Sequence, residues 1–349
     1  MKNFLFKLFL ISLPAIFLLT INYYCDTFNV FHWNNIRFCT ATPNDNYIKT
    51  QYIIHNPDKF NAFIFGSSRV ENIPPNELPE VHDGNSINWY NLWYSEGIPA
   101  EHLLTIKTFL KNNVKIDTII LGFDYISMYA SINTHKKELI KIPFQVYEDN
   151  KIAFFNKYFR DIPSYFIIRE VFNYNKATHT NDKEYYYTYG TKSDIQDFSL
   201  NENPDINNYI VPFNMNYSEK DSWKDIKDIS DLCKQNGIHL ILFTNPLYKT
   251  TYLKAVSEGY FDFLKNVAES CEFYNFSTLN NYTKNPEYYY EWSHYRPILG
   301  LILEKYLFGT DQERVVIRKD AGDELFGIKV NSQNIDTVLE ELSMQLKKK

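Results

Sequence analysis

Two short stretches of the chain carry residue types and spacings that suit acyl transfer. The first is Gly66-Ser67-Ser68-Arg69, which closes the apolar run Phe63-Ile64-Phe65, so a hydroxyl pair follows directly on a candidate strand. Open α/β sheets build their sites at strand C-termini. A serine there stands at the start of the next helix, where backbone N–H groups can steady a developing oxyanion. Serine is also a common helix cap, and taken alone the stretch reads equally well that way. The second stretch, Glu291-Trp292-Ser293-His294, tips the balance. It runs through Tyr295-Arg296 into a Leu/Ile-rich helix from Pro297. With an acid three residues before a histidine, one loop presents both a base and its orienter. The carboxylate fixes the imidazole tautomer and stabilises the imidazolium that forms. The plainer alternative is a surface glutamate beside a capping or packing histidine, one of eight in the chain.

Positioning such residues needs a sheet. Ala62-Phe63-Ile64-Phe65, Thr118-Ile119-Ile120-Leu121, the run from His239 to Phe243, and Phe273-Tyr274-Asn275-Phe276 are near-continuous apolar segments. Such segments suit strands buried on both faces of a parallel sheet. Helical spacing falls between them, over Ala100 to Leu110, Asp225 to Gln235 with Gly237 as its stop, Tyr252 to Glu269, and Pro297 to Leu307. Alternation of this kind predicts a doubly wound α/β domain with a mostly parallel sheet over 61–308. Within it, 125–222 loses the rhythm and reads as an insertion, either a lid or groove over the site or padding between core elements. Residues 26–60 read as an irregular stem. The tail 309–349 reads separately, as a charged stretch with a small hairpin and then a helix over Ile335 to Leu346. Asn245-Pro246 stands at the end of another strand and reads more readily as a turn than as part of a site.

The first 25 residues decide the compartment. Leu8 to Ile21 is uncharged, and Lys7 can snorkel to lengthen the usable span. Asn22-Tyr23-Tyr24-Cys25 lacks the small residues of a cleavage site, and its tyrosines suit an interfacial belt. An uncleaved transmembrane anchor is therefore expected over 1–25, with a cleaved signal peptide or a buried helix as alternatives. Lys2 and Lys7 place its short side in the cytoplasm and the main domain outside, periplasmic or extracellular.

Composition excludes several classes. The net charge of -6, with no basic stripe before Lys347-Lys348-Lys349, argues against nucleic acid. Cys25, Cys39, Cys233 and Cys271 form no CxxC pair. Cys25 and Cys39 could pair outside the cytoplasm, though four unpaired thiols is an equal reading. His82, His102, His135 and His179 are scattered without ligand spacing, so no metal is expected. No glycine-rich phosphate loop is present, so no cofactor is expected either.

The two chemical stretches together resemble the first and last blocks of the SGNH/GDSL hydrolase superfamily. More narrowly, they resemble its membrane-anchored envelope members related to teichoic-acid D-alanylation and polysaccharide O-acetylation proteins. The resemblance spans roughly 60–308 and implies a flavodoxin-like three-layer fold. It implies Ser68 as nucleophile, with Ser67 in place of the family's Asp, and His294 as base. Glu291 replaces the family's Asp as orienter. Asn91 and Gly97 correspond to the oxyanion block, with Trp93 where a glycine is usual. Gly122-Phe123-Asp124 corresponds to the Gly-x-Asn block, with Asp124 where an asparagine would donate. An ionised Asp124 cannot donate, so a structural role or orientation of Arg69 is the alternative. Asn91, Gly97, Arg69 and Asp124 are accordingly the expected oxyanion and substrate-binding residues.

The expected function is a serine-dependent O-acyltransferase or esterase acting on acyl groups, chiefly O-acetyl, of a cell-envelope glycan. The resemblance implies a membrane-bound O-acyltransferase as partner. The competing expectation is a non-catalytic envelope glycan-binding or assembly protein on a degenerate version of the same fold.

Overall fold

A computed structural model describes residues 2–36, 43–82, 84–128, 131–161, 168–169, 171–172, 181–201, 206 and 221–347. The expected Cys25–Cys39 pairing falls partly outside these, as does His179.

The apolar runs form strands as their burial requires. β1 (Ala62–Phe65), β4 (Trp89–Asn91), β5 (Thr118–Phe123), β6 (His239–Thr244), β7 (Phe273–Asn275) and β8 (Ile328–Val330) make one six-stranded sheet in the order β4-β1-β5-β6-β7-β8. All pairings are parallel except β7 with β8. A two-residue ribbon, β2 (Val81–His82) with β3 (Asn85–Ser86), lies outside it. Alternation sorts the side chains: Phe63 and Phe65 join one apolar cluster, and Ala62 and Ile64 the other. Both faces are therefore covered, and the protein is a mostly parallel α/β structure. From β1 the chain goes first to β4 on one side and then to β5 on the other. The crevice beyond the strand C-termini therefore opens between β1 and β5.

The helices, numbered along the chain, are α1 (Lys2–Cys25), α2 (Asp45–Ile54), α3 (Pro99–Lys111), α4 (Tyr125–Met128), α5 (Lys151–Arg160), α6 (Asn181–Tyr189), α7 (Trp223–Gln235), α8 (Lys249–Ser257), α9 (Tyr260–Ala268), α10 (Asn281–Lys284), α11 (Pro297–Phe308), α12 (Asp311–Ala321) and α13 (Ile335–Lys347). α1 is long and apolar enough to cross a membrane, and its apolar window is unburied. A signal sequence would pass the same test.

Four sequence expectations are corrected. The span Tyr252 to Glu269 is two helices, because Gly259 (φ +99°) takes a left-handed conformation between α8 and α9. The stem is not irregular throughout, since α2 is a largely buried helix. Stem and insertion share one core: Phe28, Tyr47 and Ile48 pack with Ile142, Phe154, Tyr158 and Tyr186. Finally, the described part of the C-terminal stretch has no hairpin and is not separate. Its charged part is α12, with a Thr310/Glu313 capping box, and β8 completes the main sheet.

Candidate active site

The serine arm grows from β1. After Phe65 the chain turns at Gly66, and Ser67 begins a 3-10 turn over Ser68–Asn72. The Asn91 amide donates to the carbonyls of Val70 (2.7 Å) and Ile73 (3.3 Å), so it braces the far end of this turn. Gly97 packs directly on the Gly66 carbonyl. A Cβ there would come within 2.3 Å of that oxygen, which leaves room for glycine alone.

The histidine arm is a tight loop ahead of α11. Tyr289 and Tyr295 bridge across it, the Tyr290 N–H donates to the His294 carbonyl (2.9 Å), and the Arg296 N–H donates to Tyr288 (2.7 Å). From α8, the Thr251 hydroxyl donates to the Trp292 carbonyl at 2.6 Å. Glu291 folds back inside the loop and accepts the N–H groups of Ser293 and His294, both at 2.8 Å.

The two arms meet. The Ser68 hydroxyl lies 2.7 Å from His294 Nε2, and His294 Nδ1 is hydrogen-bonded to the Glu291 carboxylate. Burial pushes the Glu291 pKa up, but the hydrogen bond and charge of His294 and the two amides outweigh it. They hold the carboxyl below its usual range, so it is ionised at neutral pH and fit to support an imidazolium. Both side chains are about one-third exposed, at 34% and 31%, so a solute can reach the pair. Ser67 is buried and faces the other way, with its hydroxyl 3.5 Å from Asp124. The choice between the two serines therefore falls on Ser68.

Beneath the site lies a polar network that fixes both arms. The fully buried Arg69 pairs with Asp124 (3.1 Å) and donates to the Tyr125 hydroxyl (3.1 Å) and to the Ser293 hydroxyl (2.8 Å). Its guanidinium also lies over the Tyr125 ring, 4.8 Å from the centroid. Asn245 donates to the same Asp124 oxygen (3.0 Å) and accepts from Tyr295 (3.3 Å). Arg69, next to Ser68, is thus tied to Ser293, next to His294.

The expected oxyanion and substrate-binding set needs correction on this geometry. The Asn91 amide is engaged on Val70 and Ile73, and the Gly97 N–H donates to Tyr94, so neither is available to an oxyanion. Arg69 and Asp124 are buried beneath the site and are engaged with each other and with Tyr125, Ser293 and Asn245, which suits positioning rather than substrate contact. In their place, the Ser68 N–H, at the first residue of its turn, has no acceptor among the described residues.

Sequence reasoning passed over Glu71, one 3-10 turn beyond Ser68, whose carboxyl burial pushes up to about 7. It also rated Asn245 a turn. The available signal was an amide directly after a strand end beside Asp124. Glu96, His135 and Glu138 do lie together, with ligand atoms within 4.8 Å of one another. The Lys141 ammonium sits between the two carboxylates, 2.5 and 2.8 Å away, so the cluster carries its own cation. Set against known proteins, the chain matches no protein-family model and no curated sequence.

Proposed function

We propose that the protein is a membrane-anchored serine acyltransferase or esterase with an SGNH-like fold, acting on acyl groups, chiefly O-acetyl, of a cell-envelope glycan. The observation that carries this reading is the Ser68–His294–Glu291 chain of hydrogen bonds at the sheet's crevice. In the first step Ser68 Oγ attacks the acyl carbonyl carbon and its proton passes to His294 Nε2. The Ser68 N–H faces the charge developing on the carbonyl oxygen, and Glu291 supports the imidazolium. The tetrahedral intermediate collapses as Nε2 returns the proton to the leaving oxygen, leaving an ester on Ser68. A glycan hydroxyl then attacks that ester, gives its proton to Nε2, and departs acylated as Ser68 Oγ recovers the proton. Water in the same place makes the reaction hydrolysis.

The anchor reading is supported by how α1 ends. Asn22, in its last turn, is buried and donates to the Tyr158 carbonyl (2.7 Å), so this end of α1 is part of the domain's packing. In this reading the main domain lies outside the cytoplasmic membrane, and a membrane-bound O-acyltransferase supplies acyl groups from the other side.

The test is labelling of the full chain with a serine-directed fluorophosphonate. Labelling that disappears in Ser68→Ala and His294→Ala but persists in Ser67→Ala supports the reading. Folded protein that stays unlabelled favours the non-catalytic, glycan-binding alternative.

A further inference from the structure

We infer that Glu71 binds the acceptor at the Ser68 site, and that it holds a neutral, hydroxyl-rich acceptor by a hydroxyl adjoining the one to be acylated. The inference rests on Ser68 acting as the nucleophile, as proposed above. Ser68 and Glu71 share one short 3-10 turn, Ser68–Asn72. Side chains three residues apart eclipse in such a turn, and its rise sets the two roughly 6 Å apart along the axis. Arg69, Val70 and Asn72 are turned inward and buried, while Ser68 and Glu71 are half-buried. These two residues therefore make up the open face of the turn.

The Glu71 carboxyl is unspent where its neighbours are not. Arg69, Asp124, Asn91 and Glu291 are all engaged by protein partners. The buried Lys49 donates to the Trp93 carbonyl (2.7 Å) and lies over the Trp93 ring, 4.3 Å from its centroid. Asp45 accepts from the Tyr186 hydroxyl (2.5 Å). Glu71 makes no side-chain hydrogen bond or ion pair among the described residues, although Lys192 and Lys49 are near enough to favour its charge. A half-buried carboxyl in that state has lost hydration with nothing to offset it until a ligand hydrogen-bonds to it. Burial pushes Glu71 up to about 7, with Asp45 and Asp194 adding to it and the two lysines opposing. At neutral pH both forms are present, and a hydroxyl, which both donates and accepts, suits either. Charge narrows the ligand further. The two lysines disfavour a cationic acceptor, and Glu71 with Asp194 disfavours an anionic one. An uncharged sugar or polyol fits. Its attacking hydroxyl gives its proton to His294 Nε2 and displaces Ser68 Oγ, which recovers that proton, while the adjoining hydroxyl stays on Glu71.

The test uses the full chain in detergent micelles, with p-nitrophenyl acetate as donor and methyl glucoside as acceptor, and measures acetylated glucoside and free acetate together. Glu71→Ala should raise the glucoside concentration for half-maximal transfer about 10-fold. Glu71→Gln, which keeps hydrogen-bonding atoms in place, should recover most of that loss. In the wild type, ethanolamine and glycerol 3-phosphate should be poorer acceptors than the glucoside. An unchanged half-saturating concentration in Glu71→Ala overturns the inference, as does a charged acceptor that matches the glucoside. Fluorophosphonate labelling of Ser68 reads the first step alone. Labelling that falls as far as transfer in Glu71→Ala also overturns the inference, because Glu71 would then only hold the serine turn. Wild-type protein that is labelled but transfers nothing to the glucoside overturns it and leaves the Ser68 reading standing. Wild-type protein that is not labelled overturns the Ser68 reading and this inference with it.

Discussion

Among the described residues two histidines pair with glutamates, His294 and His135, and their settings are opposite. His294 and Glu291 sit on a solvent-reachable loop with a serine hydroxyl 2.7 Å away. His135 and Glu101 are buried at 1% and 0% exposure. His135 Nδ1 lies 3.0 and 3.1 Å from the two Glu101 oxygens, and the Tyr94 hydroxyl also donates to Glu101 (2.7 Å). Burial pulls the His135 pKa down, but Glu101 and Glu96 outweigh it and raise it to about 9. His135 is thus a fixed cation within an ion-pair cluster that joins the loop after β4 to the insertion. An imidazole–carboxylate pair is therefore only part of a catalytic device. On the proposed reading it becomes a working base where a hydroxyl faces the free nitrogen and solvent can reach the pair.

Separating the two pairs experimentally sharpens that contrast. The largest effect belongs to Ser68→Ala, which should lower turnover by about 10⁴-fold or more, read with an activated acetyl ester. Glu291→Gln should cost roughly 10²- to 10⁴-fold in kcat while the Tm barely moves. Unchanged turnover there would remove Glu291 from the mechanism and leave the two pairs alike. Asp124→Asn strands the Arg69 charge and should destabilise the fold by about 3–5 kcal/mol in denaturant titration, slowing Ser68 labelling through the shared network. Glu101→Gln should give the inverse of Glu291→Gln. Stability falls by roughly 3 kcal/mol, and labelling per folded molecule is unchanged. A loss of labelling without loss of stability would make His135 a second functional base.

The smallest effect is one of pH. The folded pKa of His135 lies above its unfolded value, so its stabilisation is fully present below about 6.5 and disappears as pH rises through about 9. Glu96 runs the other way. A hydrogen bond from His135 leads the causes, with Lys141 adding to it against burial, and its pKa is held at about 2. Its contribution is present above the ordinary carboxylate range and is lost only as pH falls toward 2. The Tm gap between wild type and Glu101→Gln should therefore narrow on the alkaline side. A gap constant from neutral pH to well above 9 would contradict a cationic His135.

These contrasts also explain what the sequence could reveal. The four apolar strands were legible because burial on both sheet faces leaves unbroken apolar runs, and both ends of the Ser68–His294 pair were legible because each is local. β8 alternates Ile328, Lys329 and Val330 over only three residues and was missed, as was β4, although β7, equally short, was read. The roles of Asn91 and Arg69 were misread for one reason. What a polar group does depends on which distant carbonyl or carboxylate consumes it, and local spacing does not encode that. The shared core of stem and insertion, with Tyr47 against Phe154 (ring centroids 5.0 Å), is likewise a contact across a hundred residues of chain.

The bond between Ser68 and His294 joins residues 226 apart in the chain. Arg69 spans a similar gap to Ser293. Synthesis runs from the N-terminus, so for most of its manufacture the chain carries a serine with no base. On the proposed reading, a truncated or unfolded polypeptide would be silent toward esters. Reactivity would arise only once nearly the whole chain has been made and the last helices have packed on the sheet. Labelling of Ser68 would then report on the completion of the fold.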